Sequence, residues 1–132
     1  MSITEQGEPS KQLTIFTGTG ELSFDEVLKT IRSFYGANPT LNVLCDLRQA
    51  SAERISAAQV NQIAELIHKS KQIRKGGRTA IVSTRDVTYG VARMLEALIN
   101  IPNDDSSYEL RVFRDIKDAV RWLAGGQINK TR

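Results

Sequence analysis

Residues 41–47 read Leu-Asn-Val-Leu-Cys-Asp-Leu, and residues 79–83 read Thr-Ala-Ile-Val-Ser. Each run has the length of a β-strand and is apolar at consecutive positions, which is typical of a strand covered on both faces. Between them, Ser56 and Gln59 have the spacing of a helix-capping box at the start of an apolar-striped segment. The two runs and the helix between them predict a parallel β-α-β unit.

The same alternation continues on both sides of this unit. Residues 12–17 and 110–113 also have the composition of strands, and apolar residues recur at helical spacing after each strand. A strand is followed by a helix four times, which predicts one α/β domain with a mostly parallel or mixed sheet of four to five strands and about four helices. We expect the domain to cover residues 11–124, after a polar arm or edge strand at 1–10 and before a tail at 125–132.

Glycine and polar residues suggest where the first two strands end. Gly18 and Gly20 predict a turn before a second capping pair, Ser23 and Glu26. The polar residues before Ser56 predict a loop that leads into the long helix.

The composition is that of a soluble globular domain: of 132 residues, 40% are hydrophobic and 25% charged, with a net charge of +3. One cysteine and one histidine exclude a disulfide framework and a cysteine-based zinc site, and we expect no cofactor. No apolar run approaches the ~20 residues of a membrane helix, and the first ten residues lack the pattern of an export signal. We therefore expect no membrane span and a cytoplasmic location.

The motifs of common catalytic sites are absent from the sequence, which has no P-loop triplet and no nucleophile elbow. His68 lies mid-helix, where a position at the solvent edge is the simpler interpretation, and Cys45 lies among apolar residues as an unactivated thiol. Asp46 ends a strand as the acceptor of a phospho-receiver domain would, but no acidic pair follows the first strand to hold Mg²⁺. We expect no enzymatic activity.

The densest basic segment is residues 69–78, which hold five bases and no acid. No aromatic residue is interleaved with these bases, as base stacking would require, so we expect no nucleic-acid partner. We expect the bases to face solvent and to complement the dipole of the helix that ends here.

Four segments occur in a distinctive order. Asn-Val-Leu-Cys-Asp at 42–46 precedes a long helix, and Lys-Gly-Gly-Arg at 75–78 precedes a strand; Asp-Val-Thr-Tyr-Gly-Val-Ala-Arg-Met at 86–94 and Phe-Arg-Asp-Ile-Lys-Asp-Ala-Val-Arg-Trp-Leu at 113–123 follow. Over roughly residues 11–124, the chain resembles the SpoIIAA-like group of bacterial proteins, within the STAS class (sulfate transporter and anti-sigma factor antagonist). The resemblance implies a four-to-five-stranded mixed sheet with helices, no enzymatic activity, and a role in binding proteins or small ligands.

One stretch departs from the pattern of this class. Anti-sigma antagonists carry Asp-Ser-Ser-Gly at the start of the long helix, where a kinase phosphorylates serine, whereas residues 54–58 here read Arg-Ile-Ser-Ala-Ala. Ser56 alone matches, so the resemblance makes it the candidate phosphorylation site of a divergent member.

Three functions are consistent with these observations. The first is a non-catalytic binding or regulatory module that acts by protein–protein interaction. The second is a protein that binds a small apolar, lipid-like ligand, which requires a cavity. The third is an enzyme that uses the carboxylates Asp46 and Asp86.

We expect a partner or ligand to bind at the rim formed by the carboxyl ends of the parallel strands, where open α/β sheets place their sites. The rim residues are Asp46, Arg48, Thr84, Arg85, Asp86, Tyr89 and Arg114. Mixed charge favours a protein-facing surface with Tyr89 as an aromatic anchor. The alternative is that Asp86 and Asp115 cap helices while the arginines pair with them.

A homodimer is a further expectation. Phe34, Tyr35, Trp122 and Ile128 lie near predicted helix ends, and an exposed apolar patch made by some of them would mark an interface.

Overall fold

A computed structural model describes residues 2–100 and 107–125 of the chain. Within these ranges the strands are β1 (Ile3–Glu8), β2 (Leu13–Glu21), β3 (Asn42–Ser51), β4 (Arg78–Val82) and β5 (Glu109–Phe113). The helices are α1 (Phe24–Gly36), α2 (Ala57–Ser70), α3 (Asp86–Ile99) and α4 (Ile116–Leu123), and 3₁₀ turns cover Pro9–Lys11 and Lys71–Arg74. The predicted α/β class is confirmed.

The described strands form one mixed sheet in the order β1-β2-β3-β4-β5. β1 is antiparallel to β2 at the edge, whereas β2 to β5 are parallel to one another. Each parallel strand is added on the same side of the one before, and β-α-β connections are right-handed, so α1, α2 and α3 all lie on one face of the sheet. Helix α4 follows the last strand and packs on the opposite face.

Hydrophobic cores on both faces explain the apolar runs in the middle strands. In β4, Ile81 faces the core beneath α1–α3, while its neighbours Ala80 and Val82 pack with Trp122 of α4 on the other face. All four side chains are buried. Full burial of a side chain such as Ile81 or Val82 contributes about 1.5–3 kcal/mol, so the cores on both faces stabilise the sheet.

Two strands are longer than the sequence predicts. β2 continues through residues 18–20 instead of turning there, and β3 continues to Ser51 instead of ending in a polar loop. The two extensions pair with each other in parallel, beyond an irregularity in register next to Gly18. The predicted turn was wrong because each extension is fixed by pairing with a distant strand, which local composition does not encode.

The capping box of α2 is confirmed: Ser56 Oγ accepts from the Gln59 backbone N–H at 3.2 Å, and Gln59 Oε1 accepts from the Ser56 N–H at 3.0 Å. Ser23 caps α1 by accepting from the Glu26 N–H at 3.2 Å. The Glu26 carboxylate does not complete a second box. It accepts from the backbone N–H groups of residues 2–3, at 2.7 and 3.1 Å, and so fastens the edge strand to α1.

Two bases of the basic segment are buried, contrary to the expectation that they face solvent. Lys71 is 7% exposed and Arg74 is 3% exposed, whereas Lys69 and Lys75 are exposed as expected. The difference arises because α2 passes into a 3₁₀ turn at Lys71–Arg74, which directs part of this segment inward before β4 begins.

Two of the residues expected at an exposed apolar patch, Phe34 and Trp122, do not contribute to one. Phe34 and Trp122 are buried in the core, and Tyr35 is half-buried. Ile128 and most of the predicted tail lie outside the described residues. The expectation was wrong for Phe34 and Trp122 because both pack on the sheet, and homodimerisation stays a prediction without them.

The loop before β4 is held close to the beginning of β3. Gly76 has a φ of +78°, and a Cβ on Gly77 would overlap the Leu41 carbonyl oxygen and lie 2.9 Å from the Arg74 carbonyl oxygen.

Gly77→Ala is expected to lower the free energy of unfolding by about 3 kcal/mol in urea denaturation, because the obstructing atoms belong to the backbone. The matched control is Gly90→Ala on α3, where a Cβ meets open space. The control is expected to raise the free energy of unfolding by at most about 1 kcal/mol, because alanine favours a helix more than glycine does. Equal losses in both variants would contradict the account.

Candidate functional site

The carboxyl ends of β4 and β5 lie at one edge of the sheet, where Val82 and Phe113 are in register with Asp46. The prediction that Asp46 ends its strand was wrong, because β3 continues to Ser51 by pairing with β2 and Asp46 lies in its middle. Among the residues that the structure describes, the hydrogen bonds, ion pairs and ring contacts of the predicted rim residues fall into two separate groups. One group lies around Arg114, and the other lies around Asp46.

Arg114 organises the first group. Its Nη1 lies 2.9 Å from Asp86 Oδ1 and donates to the Thr84 carbonyl oxygen at 3.0 Å. Its Cζ lies 3.9 Å from the centroid of the Tyr89 ring, so the guanidinium covers one face of that ring. The Asp86 side chain is 92% exposed, and an exposed ion pair of this kind contributes at most about 1 kcal/mol.

Arg85 and Val87 lie beside this group at the start of α3. Both are exposed, and Val87 is 57% exposed. No side-chain partner of Arg85 occurs within the described ranges, and it does not cap α3 through its side chain. Asp115 caps α4 by accepting from the Lys117 N–H at 2.8 Å. Thus Asp115 and Asp86 match the alternative in which the acids cap helices or pair with arginine, whereas Arg85 and Val87 remain available to a partner.

Asp46 and Arg48 form the second group, a two-pronged ion pair. Arg48 Nε donates to Asp46 Oδ1 at 2.9 Å, and Nη2 donates to Oδ2 at 2.8 Å. These hydrogen bonds lower the pKa of the Asp46 carboxyl, and partial desolvation opposes them only in part. Asp46 is therefore ionised at neutral pH and is a poor proton donor.

Ser56 is exposed at the N-terminus of α2, with its hydroxyl oxygen in the capping box. Its phosphorylation stays a prediction.

His68 is half-buried: its Nε2 lies 2.9 Å from the Leu98 carbonyl oxygen, which joins α2 to α3.

A hydrophobic cavity lies between the sheet and helices α1–α3. It has a volume of about 180 Å³, and its surface is almost entirely apolar. The described residues that line it come from the inner face of the sheet, from the three helices and from the segments between them. They are Ile3, Phe16, Gly18, Leu22, Val27, Thr30, Ile31, Phe34, Tyr35, Val43, Cys45, Leu47, Ala52, Ile55, Val60, Ile63, Ile67, Arg74, Thr79, Ile81, Thr88, Val91, Ala92, Leu95, Tyr108 and Leu110.

Arg74 is the only charged side chain among the described residues that line the cavity. Its Nε donates to the Thr40 carbonyl oxygen at 2.9 Å, and its Nη2 donates to the carbonyl oxygens of Leu41 at 2.9 Å and Arg78 at 3.1 Å. Its Nη1 donates to the Tyr35 hydroxyl at 3.1 Å. These groups lie at the amino ends of the parallel strands, opposite the predicted rim.

Aromatic rings surround the same guanidinium. Arg74 Cζ lies 5.3 Å from the ring centroid of Phe34, 5.9 Å from that of Tyr35 and 5.0 Å from that of Tyr108. Ring faces carry negative electrostatic potential and stabilise a desolvated cation. The burial of Arg74 is therefore supported by three rings as well as by carbonyl oxygens.

Two other ionisable groups in the cavity lining, Cys45 and Tyr108, are neutral at physiological pH. Burial raises the pKa of the Cys45 thiol to about 12, and burial also raises the pKa of the Tyr108 hydroxyl to about 12. Arg74 lowers both pKa values, but by less than burial raises them. The Tyr108 hydroxyl donates a hydrogen bond to Thr79 Oγ1 at 2.7 Å.

Sequence reasoning missed both the cavity and the role of Arg74. A cavity arises where side chains do not fill the volume between the sheet and the helices, and no sequence motif indicates such a deficit. Arg74 has the sequence surroundings of an ordinary base at a helix C-terminus. The available signal was indirect: the chain supplies Phe34, Tyr35 and Tyr108, aromatic residues that a buried guanidinium can stack against.

No protein-family model matches this chain, and no curated protein matches it by sequence. The structure, however, is similar to that of an uncharacterized protein of the DUF3478 family with a SpoIIAA-like fold, from Shewanella loihica PV-4. The two structures align with a TM-score of 0.56 and 19% sequence identity. The alignment covers 92% of this chain and 91% of that one. The chain has a SpoIIAA-like fold. The likeness concerns the fold, and it confirms the mixed sheet and helices of this SpoIIAA-like domain that the sequence resemblance implied.

Across residues 2–100 and 107–125, no helix of the SpoIIAA-like domain has the length and apolar character needed to cross a bilayer. In the same ranges, no group of three or more His, Cys, Asp and Glu side chains is placed to hold a metal ion.

The state of Cys45 is directly testable by thiol labelling. Because the thiol lies in the cavity lining and burial raises its pKa to about 12, iodoacetamide at pH 8 is expected to label the native protein at least about 100-fold more slowly than the urea-unfolded chain. Mass spectrometry follows the reaction, and free cysteine added to each sample controls for reagent activity. Similar rates in the native and unfolded chain would contradict the placement of Cys45 in the cavity lining.

Proposed function

We propose that this SpoIIAA-like domain is a non-catalytic binding module that holds a small apolar ligand in the cavity between its sheet and helices α1–α3. The cavity is the observation that carries the proposal, since it combines a volume of about 180 Å³ with an almost entirely apolar surface.

An unfilled cavity lowers the stability of a folded domain. Protein interiors are close-packed and contain few voids larger than a water molecule. At about 24 cal/mol per Å³ of cavity, a void of this size forfeits about 4 kcal/mol of packing, a large part of the 5–15 kcal/mol by which domains are typically stable. A ligand that fills the space would recover much of that loss.

The lining determines what kind of ligand fits. Water needs two to four polar partners, and an apolar cavity of about 150 Å³ in another protein stays dry and binds benzene. By proportion, the present cavity accommodates about seven carbon atoms. Helix α1 contributes Val27 and Ile31 to the lining as half-buried side chains, and Phe34 is its only fully buried residue among those described. The inner face of α1 thus leaves apolar surface for a ligand to cover.

The absence of catalysis is part of the proposal. The two carboxylates considered for an enzyme, Asp46 and Asp86, are each paired with a different arginine and belong to separate groups. Asp46 is ionised by its pairing with Arg48 and so is unsuited to be a general acid at neutral pH. These pairings favour binding over acid–base chemistry.

Toluene, a neutral apolar molecule of seven carbons, tests the proposal. Near its aqueous saturation, toluene is expected to raise the melting temperature by about 3 °C or more, since a ligand that binds only the folded state stabilises it. It is also expected to shift the methyl NMR signals of cavity residues such as Ile63 and Leu95. No stabilisation and no change in these signals would contradict the proposal.

A pair of variants separates cavity binding from adsorption to the surface. Ala92→Leu adds three carbons at a cavity-lining position of α3, whereas Ala58→Leu adds the same three carbons on the exposed face of α2. Ala92→Leu is expected to raise the melting temperature without ligand and to abolish the response to toluene. Ala58→Leu is expected to respond as the wild type does, and loss of the response in both variants would argue against the cavity as the site.

A second candidate function is docking of a protein partner at the rim, which the exposed side chains of Arg85 and Val87 favour. They lie beside the group that Arg114 organises, in which its guanidinium covers the Tyr89 ring. Exposed apolar and arginine side chains beside an aromatic residue are typical of protein interfaces.

The double variant Arg85→Ala, Arg114→Ala tests this second candidate. It is expected to keep the fold and to lose a partner that the wild-type chain captures from lysate. Lys69→Ala with Arg121→Ala removes the same charge from exposed positions elsewhere and is expected to retain the partner. Unchanged capture by the rim variant would exclude the rim as the docking surface.

A further inference from the structure

Arg74 is a buried cation with no carboxylate partner among the described residues. The residue is 3% exposed, and its hydrogen-bond partners are three backbone carbonyl oxygens and the hydroxyls of Tyr35 and Tyr108, all of them uncharged. Buried charges in proteins are nearly always paired with an opposite charge or a metal, because desolvation of an unpaired ion is costly. The carbonyl dipoles and ring faces offset part of that cost, but within residues 2–100 and 107–125 no opposite charge compensates the guanidinium.

The uncompensated charge lies in the wall of the apolar cavity. The described lining contains no Asp or Glu side chain, and Cys45 and Tyr108 stay neutral at physiological pH, since burial raises the pKa of each to about 12. No group of the described lining therefore supplies a counterion to Arg74. A ligand that enters the cavity can supply one.

We infer that the ligand of this cavity is a compact organic acid of about six carbons, with its apolar body in the cavity and a carboxylate that pairs with Arg74. The inference rests on the proposed function, and it names the chemical class of the ligand for that same site.

The donors around the cavity favour a carboxylate over a larger anion. Arg74 commits Nε and both hydrogens of Nη2 to carbonyl oxygens, whereas its other hydrogen-bond partners are the neutral hydroxyls of Tyr35 and Tyr108, which a carboxylate can replace as acceptors. The Tyr35 hydroxyl accepts from Nη1, and its own proton has no acceptor among the described contacts. Two donors at one place suit the two oxygens of a carboxylate, whereas a phosphate dianion would need more donors than these residues offer.

A matched pair of ligands tests the inference on the wild-type protein. Hexanoate and 1-hexanol have the same chain length and differ in the charge of the head group. Titration calorimetry at pH 7, with methyl NMR to locate the ligand, is expected to show hexanoate binding at least tenfold more tightly than 1-hexanol. Equal affinities would overturn the inference and leave the proposed function standing, because the cavity would then bind apolar molecules regardless of charge. If toluene, hexanoate and 1-hexanol all fail to bind, both the inference and the proposed function are contradicted.

Two variants assign the preference to Arg74 and to the cavity. Arg74→Gln removes the charge, and if circular dichroism shows that the variant folds, its preference for hexanoate over 1-hexanol is expected to fall below about twofold. Ala92→Leu fills the cavity and is expected to lose binding of both molecules. Hexanoate binding that survives Ala92→Leu would place the acid on a surface arginine and overturn the inference. Should Arg74→Gln fail to fold, the wild-type comparison and Ala92→Leu still decide the question.

Discussion

The guanidinium of Arg74 holds together the segments that meet at the amino ends of the parallel strands. Its hydrogen bonds reach the backbone at residues 40–41, before β3, and at Arg78, where β4 begins. Its ring contacts reach Tyr35 at the end of α1 and Tyr108 before β5. Loss of this side chain would leave three partly buried carbonyl oxygens without this donor, and each fully buried group left unsatisfied in this way costs about 1–3 kcal/mol. Arg74 thereby ties the C-terminal end of α1, through Tyr35, to the segments that begin β3 and β4 at this end of the cavity.

The order of elements was predictable because it follows from local rules. Apolar runs of strand length and the capping box of Ser56 and Gln59 define β3, α2 and β4 without knowledge of the tertiary structure. The ends of β2 and β3 were not predictable, because glycine at 18 and 20 suits a turn and a bulged strand equally well. Only pairing between two strands separated by a helix decides between these alternatives, and no local pattern contains that pairing.

The candidate site was predictable only in part, for a different physical reason. The rule that sites lie at the carboxyl ends of parallel strands correctly brought Asp86 and Arg114 together, but these two residues pair with each other. The cavity depends on unfilled volume beneath α1–α3, and the charge of Arg74 becomes unusual only once its burial among neutral groups is known. The likeness to a SpoIIAA-like structure at 19% identity supports the fold, while the ligand must be argued from the residues of this chain.

An apolar cavity thus ends at the buried guanidinium of Arg74, which has no carboxylate partner among the described residues. A crystal structure of the protein grown with hexanoate tests this claim most directly. The account predicts the carboxylate within hydrogen-bonding distance of Arg74 Nη1, with the alkyl chain among Ile63, Ile81 and Leu95. An alkyl chain in the cavity with its carboxylate pointing away from Arg74, or an empty cavity with hexanoate bound only at the surface, would contradict it.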